Sequence, residues 1–433
     1  LNSPEYLEVF TIGPSTYAIV PQPSADRVTI YDISNPSDIS VTDSLADNGS
    51  LVLNAATGVD TFVIDDRTYA IVTAGQDSGV QILDVSNPTN IVALDAETDG
   101  VNGFTQLYSP INGVETFTVA SNSTATYAIV TDMGSADNDY EDGGVQIIDV
   151  SNPSAIVAMD AESYHASNFP QLIGAYAADT FMIGTSTYAI VTAIGDCITN
   201  FDCDEPISRG IQIIDVSNPS AIVATDALTH EDLRYSGGVD VFTVGPSTYA
   251  IVAGYSNDKV RIIDVSVPTD ISLKDSATDG ENDFTELDGP FGVDVFTVGS
   301  STYAIVTGYL DDGVQIIDIS DLDNISAVGS LANSGSLKLD GADGVRTFTI
   351  GFSTYAIVAA VETYGASDGG VQILQLSTDD KLVGGISITL SESISFTDTI
   401  SKSTTKLLSE TISFDVDADG TKDTRSVSLP VET

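Results

Sequence analysis

The pentapeptide Thr-Tyr-Ala-Ile-Val occurs seven times, around Tyr17, Tyr69, Tyr127, Tyr188, Tyr249, Tyr303 and Tyr355, with successive tyrosines 52 to 61 residues apart. Self-similarity of this length constrains a fold more than composition does. Each copy must be one supersecondary unit that buries its apolar surface against other copies. Three more elements travel with the pentapeptide. A phenylalanine stands ten or fewer residues before each tyrosine: Phe10, Phe62, Phe117, Phe181, Phe242, Phe296 and Phe348. A third element follows, over 28–34, 80–86, 145–151, 211–217, 260–266, 314–320 and 371–377. A fourth comes after it, as in Ile91-Val92-Ala93-Leu94-Asp95 and Ile222-Val223-Ala224-Thr225-Asp226.

All four elements are short, β-branched or aromatic, and bounded by Gly, Pro, Asn, Asp or Ser, which is the pattern of strands. No useful length of the chain has the 3.6-residue period of a helix. Thr-Tyr-Ala-Ile-Val is apolar on both faces, so its strand must be covered on both sides. Four-stranded units stacked between copies of themselves satisfy this. The expected fold is therefore all-β: a seven-bladed β-propeller of four-stranded blades over residues 1–386, followed by a β-rich tail over 387–433. An open β-solenoid is the alternative, although its repeats are usually much shorter.

Val145-Gln146-Ile147-Ile148-Asp149-Val150-Ser151-Asn152-Pro153 resembles the LVIVD repeat of bacterial and archaeal cell-surface proteins. The resemblance covers roughly residues 5–386. It implies a propeller at a cell surface and says almost nothing about activity. The last copies depart from it: Asp321-Leu322 replaces Asn-Pro in the sixth, and Gln375 replaces Asp in the seventh.

Two acidic series run through the repeats. Asp32, Asp84, Asp149, Asp215, Asp264 and Asp318 each stand two residues before a Ser, where a carboxylate can bond the backbone of the following turn. The second series stands two residues before each phenylalanine: Glu8, Asp60, Glu115, Asp179, Asp240, Asp294 and finally Arg346. These positions open the first strand, which in a propeller lines the axis. Six carboxylates converging there repel one another unless Arg346 or a bound cation offsets them. They either cap turn amides or hold an axial Ca²⁺ or Na⁺.

The tail changes character. Ile388, Leu390, Ile394, Phe396 and Ile400 alternate with Ser and Thr, the pattern of a long amphipathic strand. Strands with one apolar face need a partner, either the same ring or another copy of the chain. A head-to-tail version of the second choice does not close and makes a filament. Asp415, Asp417, Asp419, Thr421 and Asp423 place alternate oxygens around one point, with Gly420 at the turn. This resembles the Ca²⁺ loops of EF-hand and dockerin-like proteins. It lacks their final Glu, since Ser426 stands there, and strand-like sequence flanks it.

The chain carries 63 acidic residues against 14 Lys plus Arg, a formal charge of −49. Nucleic acid and anionic membrane are excluded as natural partners, and cations are favoured. No apolar run is long enough for a membrane-spanning helix, so direct membrane insertion is not expected. With Leu1 first and no signal-like run, the sequence reads as a mature or trimmed secreted chain. Cys197 and Cys203, in one polar loop, are expected to pair, and Asn48, Asn122 and Asn324 begin N-glycosylation sequons. These features suggest an extracellular, cell-surface protein.

Enzyme chemistry finds little foothold. The two histidines, His165 and His230, lie in loops, and no nucleophile, zinc or phosphate motif is present. Three functions are weighed. The first is a non-enzymatic structural subunit that pairs with itself through the tail. The second is a binding module or adhesin for glycan or protein, with Tyr108, Tyr140, Tyr164, Tyr235 and Tyr255 as possible platforms in place of the absent Trp. The third is a carboxylate-based glycosidase.

Overall fold

The computed structural model describes residues 6–110, 113–135, 140–164, 168–195, 210–334, 337–361, 370–378 and 386–395. All of them belong to one compact unit, Leu1–Ser401. The described strands form seven four-stranded antiparallel sheets, each built from four consecutive strands. The blades span 8–46, 56–98, 114–163, 175–229, 236–278, 290–332 and 342–395. Their first strands pack side by side around one axis, and the first blade touches the seventh to close the ring. Among the described residues no strand is exchanged between blades.

Each part of the repeat has a visible task. The Ala-Ile-Val of the second strand is fully buried in every blade, sandwiched between neighbouring sheets. The spacing of Phe and Tyr, seven residues in six blades and ten in the third, where a register shift before Tyr127 takes up the difference, places the two rings in register on adjacent strands. Their centroids lie 5.5–5.9 Å apart in all seven blades. The Asp of the third strand accepts a bond from the amide of the Ser two residues later in six blades, at 2.9–3.0 Å, as the turn chemistry requires. That Ser in turn bonds the backbone at the start of the second strand, as Ser34 does with Thr16.

A bulge separates the third and fourth strands in every blade. A buried glutamine fills it in several. Gln146 donates to Ile147 O and Asp160 O and accepts from Thr105 N in the loop leading into its own blade. Further out, an Asp on the fourth strand accepts from the amide of an Ile in the next blade: Asp43 from Ile91, Asp95 from Ile156, Asp160 from Ile222, Asp226 from Ile271 and Asp275 from Ile325, at 2.7–3.0 Å. Gly329 holds that register position in the sixth blade, so no carboxylate serves there.

The seventh blade takes Ile386–Ser395 as its outer strand. The repeat spacing predicts a ring that ends near 386 and leaves a surplus strand behind it. Instead the backbones of Ile388, Leu390 and Ile394 pair with Leu376, Leu374 and Val371. The alternation that suggests a free strand is also the pattern of an outer blade strand, which covers one face only. Phe396 and Ile400, the loop of Asp415, Asp417, Asp419, Thr421 and Asp423, and the pair Cys197 and Cys203 lie outside the described residues. No described helix is long and apolar enough to cross a membrane.

Candidate functional site: the axial carboxylate ring

Glu8, Asp60, Glu115, Asp179, Asp240, Asp294 and Arg346 occupy one register position on the seven innermost strands, each opposite an Ile of the second strand. Small residues two positions earlier, including Gly58, Gly113, Gly238 and Gly292, let these strands approach. A Cβ at Gly292 would lie 2.2 Å from Asp343 O, and one at Gly113 would lie 2.0 Å from Thr131 Oγ1. In the first blade Tyr6 stands at this position instead and lines the axial cavity with Arg346 and the first-strand valines. That cavity offers about 30 Å³, room for a water or a small ion.

Side-chain length decides what each acid does. Four aspartates reach forward to the next blade. Thr116 N donates to Asp60 (2.7 Å), Val241 N to Asp179 (2.6 Å), Val295 N to Asp240 (2.5 Å) and Thr347 N to Asp294 (2.9 Å). Where a Glu or Arg precedes, the following amide turns to its own carboxylate. Thus Thr61 N donates to Asp60, Thr180 N to Asp179 and Val9 N to Glu8. The two glutamates differ. Glu8 accepts from Arg346 Nε at 2.9 Å, which joins the first and last blades. Glu115 accepts no hydrogen bond from any described residue.

Burial raises the carboxyls of Asp60, Glu115, Asp179, Asp240 and Asp294. Asp60 is pushed up to about 7 by desolvation and then by Glu8. Asp240 rises to about 8 through desolvation and the neighbouring Asp179, with which it shares a side-chain hydrogen bond. Two carboxyls bonded in this way share a proton. Desolvation lifts Asp179 to about 6, with the Val241 and Thr180 amides opposing. Asp294 reaches about 7 through desolvation and Asp240, with Arg346 and Thr347 opposing. Glu115 is raised well above its usual value by burial and then by Asp60 and Asp179. Among the described residues, no three acidic, His or Cys side chains are placed to hold a metal ion together.

Other sequence candidates are placed separately. Asn48, Asn122 and Asn324 are all exposed. His230 Nδ1 caps the short turn of Glu231–Leu233 by accepting from Asp232 N, so it is a structural group. Of the five candidate tyrosines, Tyr235 and Tyr255 come together, with centroids 5.1 Å apart. Tyr255 also meets Phe291 and Tyr309, and Phe291 meets Tyr176 edge-on at 5.6 Å. Tyr108 is exposed and Tyr140 is buried elsewhere. Sequence reasoning misses Tyr176 and Phe291. Their signal is a break in the repeat, since both precede the small axial residue where other blades carry Thr57, Gly237 or Asp343.

The comparisons agree with this geometry. The family model for the LVIVD repeat matches residues 68–94, 139–161 and 208–226, in the second, third and fourth blades. The chain carries LVIVD repeats. None of the curated proteins compared with it matches. Solved structures similar to this LVIVD-repeat ring include a hypothetical selenium-binding protein from Sulfolobus tokodaii, at TM-score 0.56 and 11% identity, covering 91% of each chain. A functionally unknown protein from Desulfotomaculum acetoxidans has TM-score 0.55 and 11% identity, covering 86% of this chain and 98% of its own. A periplasmic gluconolactonase from Pseudomonas aeruginosa has TM-score 0.51 and 12% identity, with 76% and 85% covered. At such identities the likeness shows the propeller fold alone.

Proposed function

We propose that this LVIVD-repeat chain is a non-enzymatic extracellular structural subunit, a stiff acidic bead in a cell-surface filament, sheath or layer. The observation that carries this reading is how the ring spends its polar groups. The recurring carboxylates of the inner and outer strands bond backbone in the next blade, and the axial cavity is too small for an organic substrate. Seven near-identical blades give a body that resists deformation. The fourth strands, half-exposed along the rim, offer pairing edges for the Ser- and Thr-rich sequence after Ser395 of another copy. Exposed sequons and a charge of −49 suit a hydrated outer surface that gathers cations, Ca²⁺ at the Asp415–423 loop included. Removing residues 396–433 and imaging the purified protein tests the assembly. Loss of polymers with an intact ring supports it, and unchanged polymers refute it.

The aromatic cluster of Tyr176, Tyr235, Tyr255, Phe291 and Tyr309 supports a second reading, a binding module for glycan or protein. It is confined to the fourth to sixth blades and breaks the symmetry of the ring. Specific retention of a glycan by wild-type protein and its loss in Tyr255→Ala would favour the module over the building block.

A further inference from the structure

We propose that the end of the ring formed by the first hairpins binds a second copy of the chain face to face, with Phe352 of each copy seated in a depression of the other. This contact uses none of the sequence after Ser395, so it stands apart from the assembly proposed above. Three departures from the repeat fall on this end, and each adds an exposed apolar side chain. The residue after each repeat phenylalanine is exposed, and five blades carry Thr there: Thr11, Thr118, Thr243, Thr297 and Thr349. The second and fourth blades carry Val63 and Met182 instead, and both are exposed. The third departure is Phe352. It sits in the turn between Ile350 and Ser353, where the first strand of the last blade hands over to the second. The sixth blade has Ser300 in the matching turn. Phe352 is exposed over its whole surface.

Between Val63 and Met182 lies an open depression of about 440 Å³, walled by Phe62, Thr118, Phe181 and, in the long hairpin of the third blade, Thr126. A cavity of about 150 Å³ already takes a benzene ring, so a phenylalanine side chain fits. The chain's own Phe352 cannot fill it, because the seventh blade stands across the axis from the third. A second copy can. Knob and depression lie at the same end of the ring, on the first two strands of their blades, and hence at a like distance from the axis. A two-fold axis that sets one copy's seventh blade over the other's third makes the reverse contact at the same time, so the pair closes and covers both phenylalanines.

Charge favours this end over the other. The turns between first and second strands hold two charged residues, Asp65 and Asp66. The same two-fold axis places them over Gly13 and Pro14 of the other copy rather than over each other. Further acids at this end stand at larger radius, on the turns into the fourth strands, as Asp38 and Asp270 do. At the opposite end Asp279, Glu286, Asp311 and Asp312 crowd together, and burial with the repulsion of the three aspartates lifts Glu286 to about 7. Two such faces repel each other. Asn122 lies in the long hairpin beside the depression, so the contact requires it bare of sugar, whereas Asn48 lies at the opposite end.

The test replaces Phe352 in the full chain with photoreactive benzoylphenylalanine and irradiates the protein at about 100 µM, which suits a contact at the small end of protein interfaces. A covalent dimer should form. Mixing ¹⁵N-labelled and unlabelled chains should trace the peptides joined to position 352 to residues 62–63, 116–126 or 180–187 of the other copy. The yield should rise between about 0.05 and 0.5 M NaCl, as screening relieves the repulsion of two chains of charge −49. Val63→Thr together with Met182→Thr restores the residue of the other five blades. It should cut the yield about fivefold while thermal unfolding stays that of the parent. No covalent dimer, cross-links that run to the rim strands or to residues 396–433 of another copy, or a sugar on Asn122 of the native protein overturns the proposal. The readout is local to position 352, so polymers linked through the tail leave it unchanged whether they form or not.

Discussion

The innermost and outermost strands solve the same problem with the same bond. In both, a carboxylate accepts from a backbone amide of the next blade, so that each blade is pinned to its neighbour at two radii. On the outer strands Asp43, Asp95, Asp160, Asp226 and Asp275 do this while half-exposed, and each meets one amide of an Ile. On the inner strands Asp60, Asp179, Asp240 and Asp294 do it crowded against one another around the axis, where desolvation raises every one of them. The outer series is a set of separate bonds. The inner series is a coupled ring in which each charge is felt by the next. Bond geometry is nearly the same in both, and the dielectric surroundings make the difference.

Removing the ring's counter-charge should show this most strongly. Arg346→Leu leaves Glu8 and Asp294 without it; breaking a fully buried ion pair on one side costs about 3–5 kcal/mol, and this partly buried one should fall at or below the lower end of that range. Denaturant unfolding at pH 8 should reveal that loss, and the deficit should shrink at pH 5, where the ring can take up protons. If the deficit is the same at both pH values, the inner carboxylates are not coupled as described.

Asp240→Asn should act in the opposite direction. The amide keeps an acceptor for Val295 N and offers Asp179 a donor without the charge. The sign follows from the raised folded values of about 7, 6, 8 and 7 for Asp60, Asp179, Asp240 and Asp294, against an ordinary 3.8. Acids raised on folding contribute stability that is complete below about pH 4 and is lost as pH climbs through 6 to 8. Wild type should therefore weaken over that range. Asp240→Asn should match it at pH 5 and exceed it above pH 8 by on the order of 2 kcal/mol. A variant less stable than wild type at pH 9 would break the comparison.

The outer series predicts the smallest effect. Asp160→Ala removes one acceptor from Ile222 N and should cost about 1–2 kcal/mol. Asp95→Ala, at a different junction, should cost about the same, and the double variant should show the sum. Strong non-additivity would mean that the outer bonds are also a network. The sixth blade, where Gly329 replaces the Asp, already shows that the ring tolerates the loss of one such bond.

The repeat makes the architecture readable along the chain. Period, strand type, the Phe–Tyr register and the Asp–Ser turn are all local, and local chemistry is written in consecutive residues. The axial series is also readable as a list of residues. Its bonding is not, because the partner of Asp179 is an amide 62 residues away and that of Asp294 one 53 residues away. The aromatic cluster is half-readable: Tyr235 and Tyr255 stand out as loop tyrosines, whereas Tyr176 and Phe291 look like strand residues.

By itself, then, the sequence determined seven four-stranded units, their internal register and which acids recur, since each follows from spacing within one repeat. Tertiary structure alone decided which strand ends the ring and which backbone amide each inner and outer aspartate meets. Those outcomes depend on distances between blades, which spacing within one repeat does not carry.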